Sequence, residues 1–444
     1  MTPGGSWLAR ATPEAAVPSP TPSMGLAEVR EHIANDVFGQ RANPHCDLWG
    51  RNGVGIELEF LTGASGFSRL GWDMARALLA ELDPLPEQSR LTVEPGGQLE
   101  LSTQCFSSVD IACEAAAVDL FHLDRVCAVE GVELVALGAD PIRVPERVVT
   151  APRYRAMEEY FDSAGPAGRT MMCNSAAIQI NLGLGRDVGS RWALANHLGP
   201  TLIACFANSP FALGAPTGWK SSRLRCWWSL DHSRSKPVPA MDDPVDAWTD
   251  YALAARVMLI RQRDQFHPQT APLSFSAWIT DGHELGWPTL EDWCYHLTTL
   301  FPPVRPRGWL ELRMFDALPT PFWQVAVAVT HALVTDPEVA EDARRAVSSV
   351  RDLWVDAAQM GLTQPDLGAA GRACFQIALD SLERRNCTPA IVEAVASYND
   401  RWVARGRCPA DDRYEEWRRA GNLLPYQGSP VLSAGGLTGR VSPR

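Results

Sequence analysis

Two glutamates stand two residues apart in Arg51–Phe60, read as R-N-G-V-G-I-E-L-E-F. Val54, Ile56, Leu58 and Phe60 share one parity, and Gly55, Glu57 and Glu59 share the other. Alternate residues of a strand face opposite sides, which would put the two carboxylates about 7 Å apart on one face. Ionised carboxylates that close repel unless water or a cation separates them. Three further stretches repeat the arrangement. Leu99 and Leu101 alternate with Gln98, Glu100 and Ser102. Ile178, Ile180 and Leu182 alternate with Gln179 and Asn181. Leu310, Leu312 and Met314 alternate with Glu311 and Arg313. If these strands line one sheet, their polar faces form a concave acidic surface. Buried like charges raise one another's pKa or bind metal. Donors that are all oxygen favour magnesium or manganese over zinc. The competing reading is a polar face turned to solvent.

A basic stretch complements the acidic faces. Gly218–Lys236 carries Lys220, Arg223, Arg225, Arg234 and Lys236 against one acid, Asp231. Guanidinium forks suit carboxylates and phosphates. Lys220 and Lys236 are the chain's two lysines among 40 basic residues; a specific need for an ammonium there and chance are competing readings. Trp219, Trp227 and Trp228 argue against a fully solvated loop. Metal-binding carboxylates beside an arginine cluster suit phosphoryl transfer.

The elements that must hold these residues follow from periodicity and breakers. Helices are expected over 26–38, 72–82, 108–129, 153–161, 188–208, 246–261 and 290–300. Glu94-Pro95-Gly96-Gly97 reads as a turn or bulge, because proline and paired glycines break a ladder. A buried strand is expected at 134–137, and a helical pattern runs from about 321 to 420. The Pro/Ser/Ala/Gly-rich segment 1–26 and the tail 428–444 are expected to be disordered. Residues 27–427 then form one catalytic domain with a helical C-terminal third.

Composition narrows the class. A formal charge of −12 opposes a nucleic-acid or acidic-membrane partner. No apolar run reaches the length of a membrane span, and the N-terminus lacks a signal-peptide core. Eleven cysteines without a C-x-x-C pair fit free thiols in a reducing cytoplasm. G-A-P-T-G-W-K-S at 214–221 fails the P-loop spacing, and no dinucleotide fingerprint or G-x-S-x-G elbow appears. His296, in Y-H-L-T-T, reads as a structural helix residue.

Taken in order, these stretches resemble the glutamate–cysteine ligase family. Its plant and proteobacterial branch carries G-x-E-x-E, E-P-G-G-Q-x-E-L-S, Q-x-N, A-N-S-P-F, S-x-R…W…D…R, H-L-T-T and L-E-x-R. Here they stand at 55–59, 94–102, 179–181, 207–211, 221–234, 296–299 and 310–313. The arginine-rich chain looks most like actinobacterial members that supply γ-glutamylcysteine for ergothioneine.

The resemblance implies a glutamine-synthetase-like α+β fold, an antiparallel sheet bent into a half funnel with helices outside. It implies ATP-dependent joining of L-glutamate to L-cysteine through γ-glutamyl phosphate, with Mg2+ (Mn2+ as a substitute) on the ATP phosphates. Carried over by motif, Glu57, Glu59, Glu94, Glu100, Gln179 and Glu311 are the expected metal ligands. Arg223 and Arg313 are expected to hold the transferred phosphoryl group. Gln98, Asn181, Lys220, Arg225, Trp227 and Arg234 complete the expected substrate and ATP set. Two alternatives stay open: a related ligase using another amine, and a metal-stabilised binding protein.

Overall fold

The alternation around Glu57 folds as a strand, β1 (Val54–Gly63), at the middle of a mixed helix and sheet structure. The computed structural model describes residues 24–39, 47–63, 68–82, 84–239, 243–263 and 265–421. The tail at 428–444 and most of the segment 1–26 lie outside the described residues. The other strands are β2 (Arg90–Val93), β3 (Leu99–Ser102), β4 (Glu133–Val135), β5 (Ala177–Leu182), β6 (Phe211–Ala212), β7 (Ala215–Pro216), β8 (Leu259–Gln262), β9 (Gln265–Pro268), β10 (Val304–Pro306) and β11 (Leu310–Asp316). Seven of them form one sheet in the order β10-β11-β5-β1-β3-β2, with β4 pairing the end of β1. Every pairing in it is antiparallel. The α+β class with an antiparallel sheet is therefore observed.

The apolar parity supplies the core. Ile56, Leu58, Leu99, Leu101, Ile178, Ile180, Leu310 and Leu312 are buried on one face. Each such side chain contributes about 1.5–3 kcal/mol when fully removed from water. Against that face lie the helices Val109–Val129, Val188–Phe206 and Phe322–Thr335. Ser108 and Asp187 start the first two, each accepting from a backbone N–H of the first turn. The C-terminal helices Pro365–Arg384 and Pro389–Arg401 pack on Phe322–Thr335. One continuous apolar core thus runs from Met24 to Val403.

The opposite face of the sheet is roofed by Pro152–Asp162, Ala167–Asn174 and Ser222–Trp227. One sequence expectation is corrected here. The helix expected over 246–261 ends at Ala254, and β8 and β9 form a hairpin turned at Arg263, where φ is 55°. A short buried apolar run such as Val257–Ile260 has no period that separates strand from helix. Among the described residues no helix is long and apolar enough to cross a membrane.

Candidate active site

Register gathers the polar residues. Glu57 stands opposite Gln179, Gly55 opposite Asn181, and Glu59 opposite Glu100. Glu311 stands opposite Asn181 on the far side of β5. All of these lie on the face away from the core. Like charges directly opposed across strands destabilise a sheet, so the Glu59–Glu100 pair is held at a cost. Glu94 joins them from the turn before β3. The turn needs its glycines: a Cβ on Gly96 would lie 2.2 Å from the Cys173 carbonyl oxygen, and Gly97 has φ of 87°.

The glutamates and Gln179 line a cavity of about 260 Å³ with five glutamates and five arginines on its walls. Sheet order sorts the charge. Glu57, Glu59, Glu94 and Glu100 occupy the β1–β3 side. Arg305, Arg307 and Arg313 occupy the β10–β11 side, and Arg223 closes it from above. Arg153 and Tyr154 reach in from the helix Pro152–Asp162.

Electrostatics differ on the two sides. Burial, with Glu311 and Glu100 nearby, pushes Glu57 up to about 7. Burial and Glu59 push Glu100 up to about 7. Burial and then Glu100 raise Glu94 well above the usual carboxylate range, and burial also raises Glu59. A low-dielectric site crowded with carboxylates resists full ionisation unless a cation enters. Glu311 behaves oppositely. Burial opposes its ionisation, but Arg305, Arg313 and Arg307 overcome this and hold it far below the usual range. Arg305 Nε and Nη2 donate to it at 2.6 and 3.1 Å, and Arg307 and Arg313 each at 2.9 Å.

The arginines keep free donors. Arg223 Nη2 donates to the Arg313 carbonyl at 2.8 Å, while its Nε and Nη1 are buried without a partner. Arg313 donates to Gln179 Oε1 and Glu311, and its Nε is also unpartnered. Buried guanidinium N–H groups without acceptors are costly and call for an anion.

The donor chemistry fits a hard divalent cation on the glutamate side. All the candidate donors are oxygens, and four of the carboxyls resist ionisation on their own. Three of the four are engaged within the protein. Glu57 accepts from Asn181 at 2.9 Å, Glu59 from Gln179 and the Ala177 N–H at 2.8 Å, and Glu100 from Thr92 at 3.0 Å. Among the described residues no three His, Cys, Asp or Glu side chains are gathered tightly enough to hold an ion as they stand. Binding would therefore turn these side chains toward one another.

Comparison with known proteins bears on the same residues. The glutamate–cysteine ligase family 2 profile matches residues 53–423, which includes every strand of the sheet. The chain belongs to glutamate–cysteine ligase family 2. It is 41% identical over 371 residues to glutamate–cysteine ligase EgtA of Mycolicibacterium smegmatis, covering 82% of this chain and 86% of that one. The Mycobacterium tuberculosis glutamate–cysteine ligase EgtA is 40% identical over 374 residues, covering 82% and 85%. A chloroplastic glutamate–cysteine ligase of Nicotiana tabacum is 30% identical over 239 residues, covering 52% and 46%. A Francisella tularensis glutamate–cysteine ligase crystal structure with AMP superposes at TM-score 0.49 and 14% identity, covering 83% of this chain and 85% of that one. That superposition is too loose to place residues.

Within this family 2 chain, several expected residues sit elsewhere. Arg223 and Trp227 are four apart on the helix Ser222–Trp227 and share its cavity face. Arg225 lies about 200° round from Arg223 at 100° per residue, and it is exposed. Lys220 Nζ donates to Asp411 at 2.5 Å, tying this loop to the helix Pro409–Ala420. Arg234 is wholly buried and donates to Asp231, the Tyr160 hydroxyl and the Thr299 and Arg256 carbonyls. Lys220, Arg225 and Arg234 thus do not line the cavity. Gln98 lines it, but its amide is bonded to backbone at Gly96, Met172 and Ser175. Asn181 lies behind Glu57 and accepts from Trp309 Nε1 at 2.8 Å. Both Glu311 oxygens are engaged by arginines, so joining a metal would require releasing one of them. His296 is structural, with Nε2 at 2.9 Å from the Ala252 carbonyl and its pKa lowered to about 3 by burial and Arg234.

Sequence reasoning misses Arg153, Tyr154, Arg305 and Arg307. The usable signal for the last two is R-P-R at 305–307, since a short strand there would hairpin onto β11 and set Arg305 opposite Glu311.

Proposed function

We propose that this chain is an ATP-dependent glutamate–cysteine ligase. It joins the γ-carboxylate of L-glutamate to the amine of L-cysteine and releases ADP and phosphate. The observation that carries the reading is the cavity divided between acid-rich β1–β3 and arginine-rich β10–β11, with unpartnered Arg223 and Arg313 donors between. Glutamate's γ-carboxylate attacks the terminal phosphorus of ATP. Arg223 and Arg313 direct N–H groups at the transferring phosphoryl group, where charge spreads over its oxygens. The Glu311 carboxylate keeps Arg305 and Arg313 charged and oriented. The cysteine amine then attacks the acyl carbon, the amide bond forms, and phosphate leaves. Glu57, Glu59, Glu94 and Glu100, with Gln179 as a neutral oxygen donor, would hold Mg2+, which neutralises the ATP phosphates when bound. Mn2+ is its closest substitute on such donors.

The amine acceptor meets an apolar wall. Met157, Met171, Met172, Trp227 and Phe301 supply apolar lining to the cavity. A thiol offers weak hydrogen bonds, so this wall discriminates by shape, and 2-aminobutyrate is expected to replace cysteine. The unit that performs the reaction is read as residues 27–427. The same reading includes a reducing cytoplasm, small-molecule partners alone, and a product used for ergothioneine, by likeness to the mycobacterial ligases.

ADP release tests the reading. Glutamate with ATP should release ADP slowly, and cysteine added to both should accelerate it strongly. Acceleration by another amine but not cysteine would indicate a different ligase. No ADP under any combination would leave a binding protein.

Metal removal gives a second test. Glu57 and Glu100 titrate at about 7 in the fold against an ordinary 4.5. A raised carboxyl contributes stability that is full below pH 4.5 and lost as pH rises through about 7. Mg2+ should restore what is lost. The rise in Tm on adding MgCl2 to chelator-treated protein should therefore be larger at pH 8 than at pH 6. A rise of equal size at both would contradict cation binding at these carboxyls.

A further inference from the structure

The end of β11 departs from strict alternation. Leu312 pairs with Ile180, but Phe315, not Met314, pairs with Ile178, so one extra residue is inserted. Bulges re-aim side chains and cluster beside active sites. Without it Asp316 would share the core parity of Leu310 and Leu312. With it Asp316 stands opposite Ala177, on the face of Gln179 and Glu59.

There the carboxylate is 1% exposed and fully bonded. Oδ2 accepts from the Asn208 N–H at 2.8 Å and the Ser209 hydroxyl at 2.7 Å. Oδ1 accepts from the Ser221 hydroxyl at 2.8 Å. The Ser221 oxygen in turn caps Ser222–Trp227 by accepting from the Leu224 N–H. The Ser209 oxygen accepts from the Arg223 N–H at 3.3 Å. One carboxylate thus joins the turn at 207–211 to the start of the helix that carries Arg223. Its surroundings leave no slack, since a Cβ on Gly138 would lie 2.2 Å from Asp316 Cγ.

We propose that Asp316 is a positioning residue for Arg223, fixing the helix so that the free guanidinium donors face the transferring phosphoryl group. This goes beyond the ligase reading and rests on it. Asp316 touches no reacting atom in this account. A misplacement of the donor would weaken transition-state stabilisation more than glutamate binding.

The test is a double-mutant cycle in the full chain with glutamate, cysteine and MgATP. Asp316→Asn keeps the side-chain volume and puts an amide where an acceptor is needed. It is expected to lower kcat about 30-fold, less than the loss of about a hundredfold for outright removal of a preorganised donor because the arginine is displaced and not removed, and to change KM for glutamate less than about threefold. In an Arg223→Ala background the same change should cost less than about threefold more, because coupled residues are non-additive. Equal losses in both backgrounds would show a general structural role and overturn the proposal. If Asp316→Asn does not unfold cooperatively, Ser221→Ala takes its place, with the same non-additivity expected and additivity again contradicting. An inactive wild type would overturn both the ligase reading and this proposal. An active wild type with additive losses would overturn this proposal alone.

Discussion

Glu57→Gln or Glu59→Gln is expected to lower γ-glutamylcysteine formation by at least about a hundredfold while the protein stays folded. Both side chains stand on the central strand of the sheet and face Gln179 and Glu100 across their ladders. Glutamine keeps the volume and one acceptor oxygen, so the bond from Asn181 to residue 57 can persist, while residue 59 keeps one of its two bonds, from Gln179 or from the Ala177 N–H. What disappears is a charge that a divalent cation requires. Removing one member of a crowded, raised-pKa cluster also relieves repulsion, so the Tm of Glu57→Gln without metal should not fall at pH 8. Activity and Tm must be measured on the same preparation. Wild-type turnover at limiting magnesium would remove these residues from the metal site. A large fall in Tm would mean that the loss comes from the fold.

Arg313→Lys is the second large effect. Arg313 sits wholly among charges, donating to Glu311 at 2.9 Å and to Gln179, with Nε left free. Lysine keeps the charge and loses the planar fork, so it cannot serve Glu311, Gln179 and a phosphoryl oxygen together. A preorganised donor of this kind is worth about 3 kcal/mol of transition-state stabilisation. The expected result is a fall in kcat of about a hundredfold, with KM for glutamate changed much less. A change in KM alone would make Arg313 a residue that binds the ground state.

The strand faces were legible because a period of two is a property of the backbone. Glu57, Glu59, Glu100, Gln179 and Glu311 needed only parity and a shared sheet to converge. Linear clustering misled in Gly218–Lys236. Closeness in sequence is not closeness in space once a helix turns by about 100° per residue. Arg223 and Trp227 share a face, Arg225 points away, Lys220 meets Asp411 from near the C-terminus, and Arg234 turns into the core. The oppositely charged half of the site was hidden for another reason. Arg305 lies on a three-residue strand ending in proline, too short to show a period. Its role becomes visible only when β10 pairs with β11 and Glu311 appears opposite it. The bulge that turns Asp316 leaves only a faint mark, the break in alternation at Met314-Phe315-Asp316, which reads equally well as the end of a strand.

In the proposed reaction one cavity brings glutamate's γ-carboxylate to the terminal phosphorus of ATP before the amine attacks. Oxygen-18 placed in the γ-carboxylate of glutamate tests it most directly. Incubation with ATP, Mg2+ and cysteine should yield γ-glutamylcysteine and ADP, with one labelled oxygen carried into inorganic phosphate for each amide formed. The transfer follows because the bridging oxygen of an acyl phosphate comes from the carboxylate and leaves with phosphorus. Unlabelled phosphate, or AMP in place of ADP, would contradict the account and indicate that the acid is activated by adenylation instead.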